Sequence, residues 1–287
     1  MHTREEKLTA FGRLLDVLDT LREKCPWDRK QTNQSLRPNT IEETYELCDA
    51  LVNDDKANIC KELGDVLLHV LFYAKIGSET NDFDIADVCN KLCDKLIFRH
   101  PHIYGDVKVN DANDVVENWE QLKMKEKNGN KTVLSGVPDA LPSLIKAYRI
   151  QDKARNVGFD WEERNQVWDK VQEEFAELQD ELNGYVSEKE RLESEGLTDN
   201  SAEMQELKNK ALGEYGDLIF SIVNAGRLYH LNPDTALEMT NRKFIRRFGY
   251  LEQKTIKQGR NLKDMTLGEM DEIWNEAKEL ERQGKLK

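Results

Sequence analysis

The sequence predicts an all-α protein built from two copies of one helical unit. Apolar residues recur at spacings of three and four along most of the chain, which is the period of an amphipathic helix. The 287 residues include only six prolines and few alternating runs of β-branched residues, so strands are not expected. An acidic pattern occurs twice in the same sequence context, which indicates an internal repeat.

Each copy begins with an amphipathic helix that leads into a turn containing tryptophan. The turn reads CPWD at residues 25–28 and GFDW at residues 158–161. We interpret Trp27 and Trp161 as packing against the helices that follow, rather than as contacting a ligand.

A pair of acidic helices follows each tryptophan turn. Residues three apart lie on one helix face, so each helix presents two carboxylates side by side. The first pair should turn near residues 53–55 as a tight hairpin. The second pair has a longer connection, in which we expect a charged insertion near 183–209, with Asn183-Gly184 able to end a helix. The acids are Glu42, Glu43, Glu46, Glu62 and Asp65 in the first copy, and Glu173, Glu174, Glu177, Glu214 and Asp217 in the second.

A helix with two basic residues four apart follows each acidic pair. Lys95 and Arg99 in the first copy correspond to Lys243 and Arg247 in the second, so both pairs are candidate phosphate ligands. Arg246 in the second copy corresponds to Phe98 in the first. The first copy therefore has fewer candidate phosphate ligands than the second.

Turn-forming residues separate the two copies and set the expected domain boundaries. We predict a first domain at 1–127, a linker at 128–142 and a second domain at 143–287, which includes the charged insertion.

The composition excludes several functional classes. A net charge of −13 and a pI near 5.0 argue against a broad surface for nucleic acid polymers or anionic membranes. No apolar run approaches the length of a membrane span, and the N-terminus lacks the apolar core of a signal peptide, so we expect a cytoplasmic protein. The five cysteines should be reduced. Cys89 and Cys93 fit a core location better than a zinc site.

The acids predict a cation site. Two carboxylates about 4 Å apart repel by roughly 4 kcal/mol at an effective dielectric near 20, and acids beside core positions should be partly buried. Hard oxygen ligands favour Mg²⁺, with Mn²⁺ as a substitute. The alternative is that the acids form an ordinary charged helix face exposed to solvent. Two matched copies of the acidic motif argue against it.

Five motifs together resemble the MazG-type nucleoside triphosphate pyrophosphohydrolases, in their two-copy form. The motifs are CPWD at 25–28, EETYE at 42–46, ELGD at 62–65, RHPH at 99–102 and VGFDW at 157–161. The resemblance runs through nearly the whole chain. It implies helical hairpins that pair into four-helix-bundle cores, a homodimer, Mg²⁺ on four acids, and hydrolysis of nucleoside triphosphates to monophosphate and pyrophosphate.

The resemblance also suggests a role for each candidate residue. Glu42, Glu173, Glu174 and Glu177 are candidate catalytic residues, of which Glu42 and Glu173 would orient the attacking water or bind an outer-shell water, or else be merely solvated. The candidate metal ligands are Glu43, Glu46, Glu62 and Asp65, and in the second copy Glu174, Glu177, Glu214 and Asp217. The candidate substrate-binding residues are Lys170, Lys243, Arg246, Arg247, Trp274, Lys95 and Arg99, with Trp274 stacking on the base or else packing in the core.

The difference in basic residues favours the second copy as the main catalytic site. Two alternatives stay open at this stage. One is a hydrolase narrow for deoxyuridine or another modified nucleotide, and the other is a nucleotide-binding regulator with little turnover.

Overall fold

A computed structural model of the chain describes residues 1–108, 122, 132–197 and 202–286. The regular structure of these residues is entirely helical, which confirms the predicted all-α class. The chain divides into two compact units, Met1–Asp111 and Ala112–Lys287. Residues 128–131 of the predicted linker lie outside the described residues, and the domain boundaries at 127 and 142 stay predictions.

Over residues 1–108, the first unit contains five helices and a short 3-10 turn at Asp28–Lys30. Its core brings α1, α2 and α3 together through the buried side chains of Leu18, Leu36, Leu71 and Phe72. The helices are α1 (Arg4–Lys24), α2 (Asn33–Val52), α3 (Lys56–Glu79), α4 (Ile85–Arg99) and α5 (Pro101–Tyr104).

Local caps position the acidic hairpin of the first unit. Helix α2 ends at Val52 and α3 begins at Lys56, which confirms the turn predicted near residues 53–55. The carboxylate of Asp55 accepts hydrogen bonds from the backbone N–H groups of the first turn of α3, so it caps that helix. The turn fixes which faces of α2 and α3 meet.

Among its described residues, the second unit contains five helices and short 3-10 turns at Leu134–Gly136 and Leu262–Asp264. Its longest helices, α7 and α8, pack along each other as the second acidic pair. The helices are α6 (Ser143–Arg155), α7 (Gln166–Ser194), α8 (Ala202–Leu228), α9 (Pro233–Lys257) and α10 (Leu267–Arg282).

The predicted helix end at Asn183-Gly184 is wrong, because α7 continues through both residues to Ser194. Glycine in an exposed helix costs only about 1 kcal/mol relative to alanine. Packing outweighs this cost, since Leu192 on α7 and Met204 on α8 are both buried. Most of the charged insertion is therefore an extension of the two acidic helices. Residues 198–201 of the insertion lie outside the described residues.

The turn between α6 and α7 requires glycine at position 158. Gly158 has a φ of 86°, and the Phe159 N–H donates to the carbonyl of Ala154 at 3.1 Å. This is a left-handed helix end that residues with a Cβ rarely adopt. It places Phe159, Asp160 and Trp161 beside the acidic helices.

Within the described part of the chain, each helix is too short or too polar to cross a membrane.

Candidate functional site

Three acids of the first unit meet between α2 and α3. Carboxylate oxygens of Glu43, Glu62 and Asp65 all lie within 4.8 Å of one another. Glu62 is only 1% exposed, and its Oε2 has no hydrogen-bond partner among the described residues. The Lys61 Nζ donates to Glu62 Oε1 at 2.7 Å and lies 3.7 Å from Asp65. A buried carboxylate oxygen without a donor is an available ligand.

Glu46 is exposed and lies outside this group of three, although its charge is close enough to affect the pKa of Glu43. Burial raises the pKa of Glu43, and the charges of Asp65, Glu46 and Glu62 raise it further. The cluster therefore resists full ionisation in the absence of a cation.

The second unit repeats the arrangement between α7 and α8. Oxygens of Glu174, Glu177 and Glu214 lie within 4.8 Å of one another, and Glu174 is 7% exposed. Burial raises the pKa of Glu214, and Glu177, Asp217 and Glu174 raise it further. Asp217 is exposed and lies outside the group of three.

A lysine also neutralises part of the second cluster. The Lys170 Nζ lies 2.7 Å from Glu174 and 2.8 Å from Glu173, and these two contacts raise its pKa. Lys170 is a residue of α7 itself, one helical turn before the acids. In each cluster, therefore, an acid forms an ion pair with a lysine from one of the two helices that supply the acids. This lysine is Lys61 in the first unit and Lys170 in the second.

The residues of both clusters fit a hard divalent cation. Every candidate ligand is a carboxylate oxygen, and such oxygens are the ligands that Mg²⁺ and Mn²⁺ prefer. Burial raises the pKa values of Glu43 and Glu214 most, and the charges of the neighbouring carboxylates raise them further, so the ionised acids repel one another. A cation would relieve that repulsion.

His69 belongs to a hydrogen-bonded network in the core of the first unit. Its Nδ1 lies 3.0 Å from the Thr40 Oγ1, which in turn lies 2.5 Å from the Tyr73 hydroxyl. Burial lowers the pKa of His69, and Asp65 partly opposes the shift. Ser221 occupies the same place in the repeat, and its hydroxyl donates to the carbonyl of Leu218 at 2.8 Å. The histidine is not part of a chemistry common to both units.

Two basic candidates of the second unit, Arg246 and Arg247, bind a carboxylate that the sequence analysis did not identify. Glu281 on α10 accepts hydrogen bonds from both Arg246 and Arg247 of α9, including the Arg247 Nε at 2.8 Å. The Arg247 guanidinium lies 5.8 Å from the centre of the Trp274 ring, and the Phe244 ring lies 5.0 Å away. Trp274 is thus half-buried between α9 and α10.

The remaining basic candidates lie on the surfaces of α4 and α9. Lys95 is exposed, and Arg99 and Lys243 are half-buried. Cys89 and Cys93 are both exposed on α4, so their predicted core location is wrong.

A cleft of about 640 Å³ opens beside the second acidic cluster. Its walls come from α6, α7, α8 and the turn after α6. Lys170, Glu174 and Asp217 line it next to the cluster. Its other walls include Gln151, Phe159, Asp160, Trp161, Ser221, Asn224 and Arg227. A site for a small molecule therefore adjoins the second group of acids.

Two residues buried in the walls of this cleft were not apparent from the sequence. Arg227 is 2% exposed and donates to both carboxylate oxygens of Asp160, with Nη1 to Oδ2 at 3.1 Å. Gln151 is 6% exposed and donates from Nε2 to the carbonyl of Phe220 at 2.8 Å. No spacing pattern marks them, since their partners are 67 and 69 positions away in the chain.

Known proteins resemble this chain over most of its length. The MazG nucleotide pyrophosphohydrolase domain matches residues 31–104. The nucleoside triphosphate pyrophosphohydrolase of Escherichia coli K12 is 36% identical over 96% of this chain and 99% of that protein. The nucleoside triphosphate pyrophosphohydrolase/pyrophosphatase MazG of Thermotoga maritima is 38% identical over 93% of this chain and 95% of that protein.

A third relative is longer than this chain. The uncharacterized protein YabN of Bacillus subtilis is 44% identical over 97% of this chain, which spans 54% of that protein. The chain therefore spans about half of one relative and nearly all of the other two.

Proposed function

The chain belongs to the MazG nucleotide pyrophosphohydrolase family, and from this premise we propose that it hydrolyses nucleoside triphosphates between the α and β phosphates. Water is consumed, and a nucleoside monophosphate and pyrophosphate are released. Ribo- and deoxynucleotides are both substrates. The observation that carries the proposal is the group of Glu174, Glu177 and Glu214, of which Glu174 is buried, beside a cleft large enough for a nucleotide.

The reaction needs a divalent cation, for which we propose Mg²⁺. In the second unit Glu174, Glu177, Glu214 and Asp217 would hold it, and in the first unit Glu43, Glu46, Glu62 and Asp65. When bound, the cation supplies positive charge to the phosphate oxygens and makes a water molecule more acidic. Support comes from the all-oxygen ligand set and from the unsatisfied Oε2 of Glu62.

The basic residues of the second unit act on the phosphates. Lys170 already lies at the acids, and with nucleotide present its ammonium group would turn from Glu173 to a phosphate oxygen. Lys243, Arg246 and Arg247 neutralise the β and γ phosphates, for which the two arginines must exchange Glu281 for phosphate. Glu173, freed from Lys170, orients the attacking water.

The second unit is the main catalytic site of the proposal. Its acids adjoin the cleft, and it has Arg246 where the first unit has Phe98. Glu42, Lys95 and Arg99 of the first unit would act in binding or regulation.

We place the protein in the cytoplasm as a homodimer. Large apolar side chains that a single chain leaves exposed on α9 support a partner subunit, among them Phe244, Ile245 and Phe248 at 55%, 69% and 37% exposure. Light scattering coupled to size-exclusion chromatography tests the subunit number.

A panel of ribo- and deoxynucleoside triphosphates with Mg²⁺ tests the proposed reaction. Both products are measured, because monophosphate and pyrophosphate in equal amounts identify cleavage at the α–β bond. Turnover of a single modified or deoxyuridine nucleotide would narrow the function to that substrate. Binding without turnover of any nucleotide would contradict the hydrolase and favour a regulator.

Mg²⁺ is expected to stabilise the folded protein more at pH 8 than at pH 5. The folded-state pKa values of Glu43 and Glu214 are raised, so without metal the stability falls as pH rises from about 4.5 through those values. A cation removes this loss. At 100 times its dissociation constant it adds about 2.7 kcal/mol to the free energy of unfolding.

Thermal unfolding with Mg²⁺ and with NaCl at matched ionic strength measures this effect. NaCl controls for screening of surface charges. Equal shifts by the two salts, or a Mg²⁺ effect that does not grow with pH, would contradict a specific cation site.

A further inference from the structure

The two units differ in side-chain size at equivalent positions beyond the acids of α3 and α8. In the register that aligns Glu62 and Asp65 with Glu214 and Asp217, three large side chains of α3 correspond to three smaller ones of α8. The pairs are His69 and Ser221, Phe72 and Asn224, and Tyr73 and Ala225.

The large side chains fill the core of the first unit. Phe72 is 3% exposed and packs with Leu18, Leu36 and Leu71, while His69 is 8% exposed. In the second unit Ser221 and Asn224 line the 640 Å³ cleft instead. The change from large to small side chains therefore accounts for the space. Its volume lies within the range of about 300–1,000 Å³ that is usual for small-molecule sites.

The charges around the cleft orient a bound nucleotide. The acids Glu174 and Asp217 line the cleft at the acidic cluster, where a cation would attract phosphates. Arg227 also lines the cleft, farther along α8 than Asp217, but its guanidinium is already paired with Asp160 and bonded to Asn224. This arginine offers no free charge for a phosphate. The phosphates therefore lie at the acids, and the nucleoside extends into the rest of the cleft.

The walls of the cleft suit a flat heterocycle. Phe159 and Trp161 line it with 82% and 39% of their surface exposed, so their rings are available for stacking, and Trp161 is not confined to the packing role predicted from its turn. Gln151 supplies the polar group. Its Nε2 is held by the carbonyl of Phe220, while its buried Oε1 has no partner among the described residues. A buried acceptor without a donor is poorly solvated, and a donor on a ligand would satisfy it.

We propose that the cleft of the second unit binds the nucleoside, and that the Gln151 Oε1 accepts a hydrogen bond from an exocyclic amino group of the base. Nucleotides that carry such an amino group bind more tightly than analogues that lack it. This assignment rests on the proposed function. It places the base in the cleft rather than on Trp274, whose ring already contacts Phe244 and Arg247.

Binding of two matched ligands tests the role of Gln151. The probes are an ATP analogue with a methylene group between the α and β phosphates, and the same analogue of purine riboside, which lacks the 6-amino group. Titration calorimetry with Mg²⁺ should give a five- to tenfold preference for the amino-bearing ligand in the unmodified chain. Gln151→Leu should reduce the ratio to about one. Gln172→Leu, at an exposed position of α7, should leave it unchanged.

A second variant tests the cleft itself. Asn224→Phe places the side chain of the first unit in the second, and it should weaken binding of both analogues at least tenfold while the stabilisation by Mg²⁺ is retained. Equal affinity of the unmodified chain for the two analogues would overturn the role of Gln151. Unchanged binding by Asn224→Phe would overturn the pocket. Both readouts are binding constants, so they remain decisive if no nucleotide is hydrolysed.

Discussion

Glu214→Gln is expected to abolish most nucleotide hydrolysis and at the same time to stabilise the metal-free protein. The substitution removes one carboxylate from the group proposed to hold the cation, and a bound cation would contribute several kcal/mol to transition-state stabilisation. The expected loss of kcat/KM is roughly 10³-fold. In the absence of metal, the raised pKa of Glu214 shows that its charge opposes folding, so the neutral amide should raise Tm at pH 7.5.

Steady-state pyrophosphate release and thermal unfolding in a chelator measure the two effects together. Glu206→Gln is the matched control, because Glu206 lies on the same helix and pairs with Lys210 at 3.2 Å on the surface. It should change neither quantity appreciably. A variant at Glu214 that lost stability along with activity would indicate a structural carboxylate rather than a cation ligand.

Asp160→Ala is expected to lower the free energy of unfolding of the second unit by about 3–5 kcal/mol. Arg227 is 2% exposed, and Asp160 is the carboxylate that pairs with it. Without it, the guanidinium keeps two hydrogen bonds to the Asn224 Oδ1, at 3.0 and 2.8 Å, but its charge has no partner in that pair. Urea denaturation measures the loss.

Two further variants show whether the loss of stability comes from the unpaired buried charge of Arg227 or from the loss of any ion pair. Replacing both partners, as Asp160→Leu with Arg227→Met, should recover most of the stability, since no buried charge then remains. Glu195→Ala removes an exposed pair with Arg191 on α7 and should have little effect. A loss of stability in Asp160→Ala no larger than that in Glu195→Ala would contradict a stabilising role for the buried pair of Asp160 and Arg227.

The acidic site could be predicted from the sequence because its residues are local. Glu43 and Glu46, or Glu62 and Asp65, need only the helical period to share a face, and the duplication distinguishes them from an ordinary charged surface. The first hairpin turn was likewise marked by Asp55, which caps the following helix.

The cleft could not be predicted in the same way, because it depends on packing between distant segments. Gln151 finds the carbonyl of Phe220, and Asp160 finds Arg227, only once α6 and α8 are packed together. The end of α7 was mispredicted for a similar reason, since the burial of Leu192 outweighs the local preference of Gly184. The contacts of Glu281 could not be predicted from local spacing, because Arg247 and Arg246 are 34 and 35 positions away in the chain.

Catalysis at the second acidic cluster is tested most directly by one matched pair of variants. Glu43→Gln and Glu174→Gln change equivalent glutamates of the two units, each a member of its three-acid group. Pyrophosphate release from ATP and dATP with Mg²⁺ should fall at least 100-fold in Glu174→Gln and less than threefold in Glu43→Gln. Full activity in Glu174→Gln, with activity lost in Glu43→Gln, would contradict catalysis at the second cluster and assign it to the first unit.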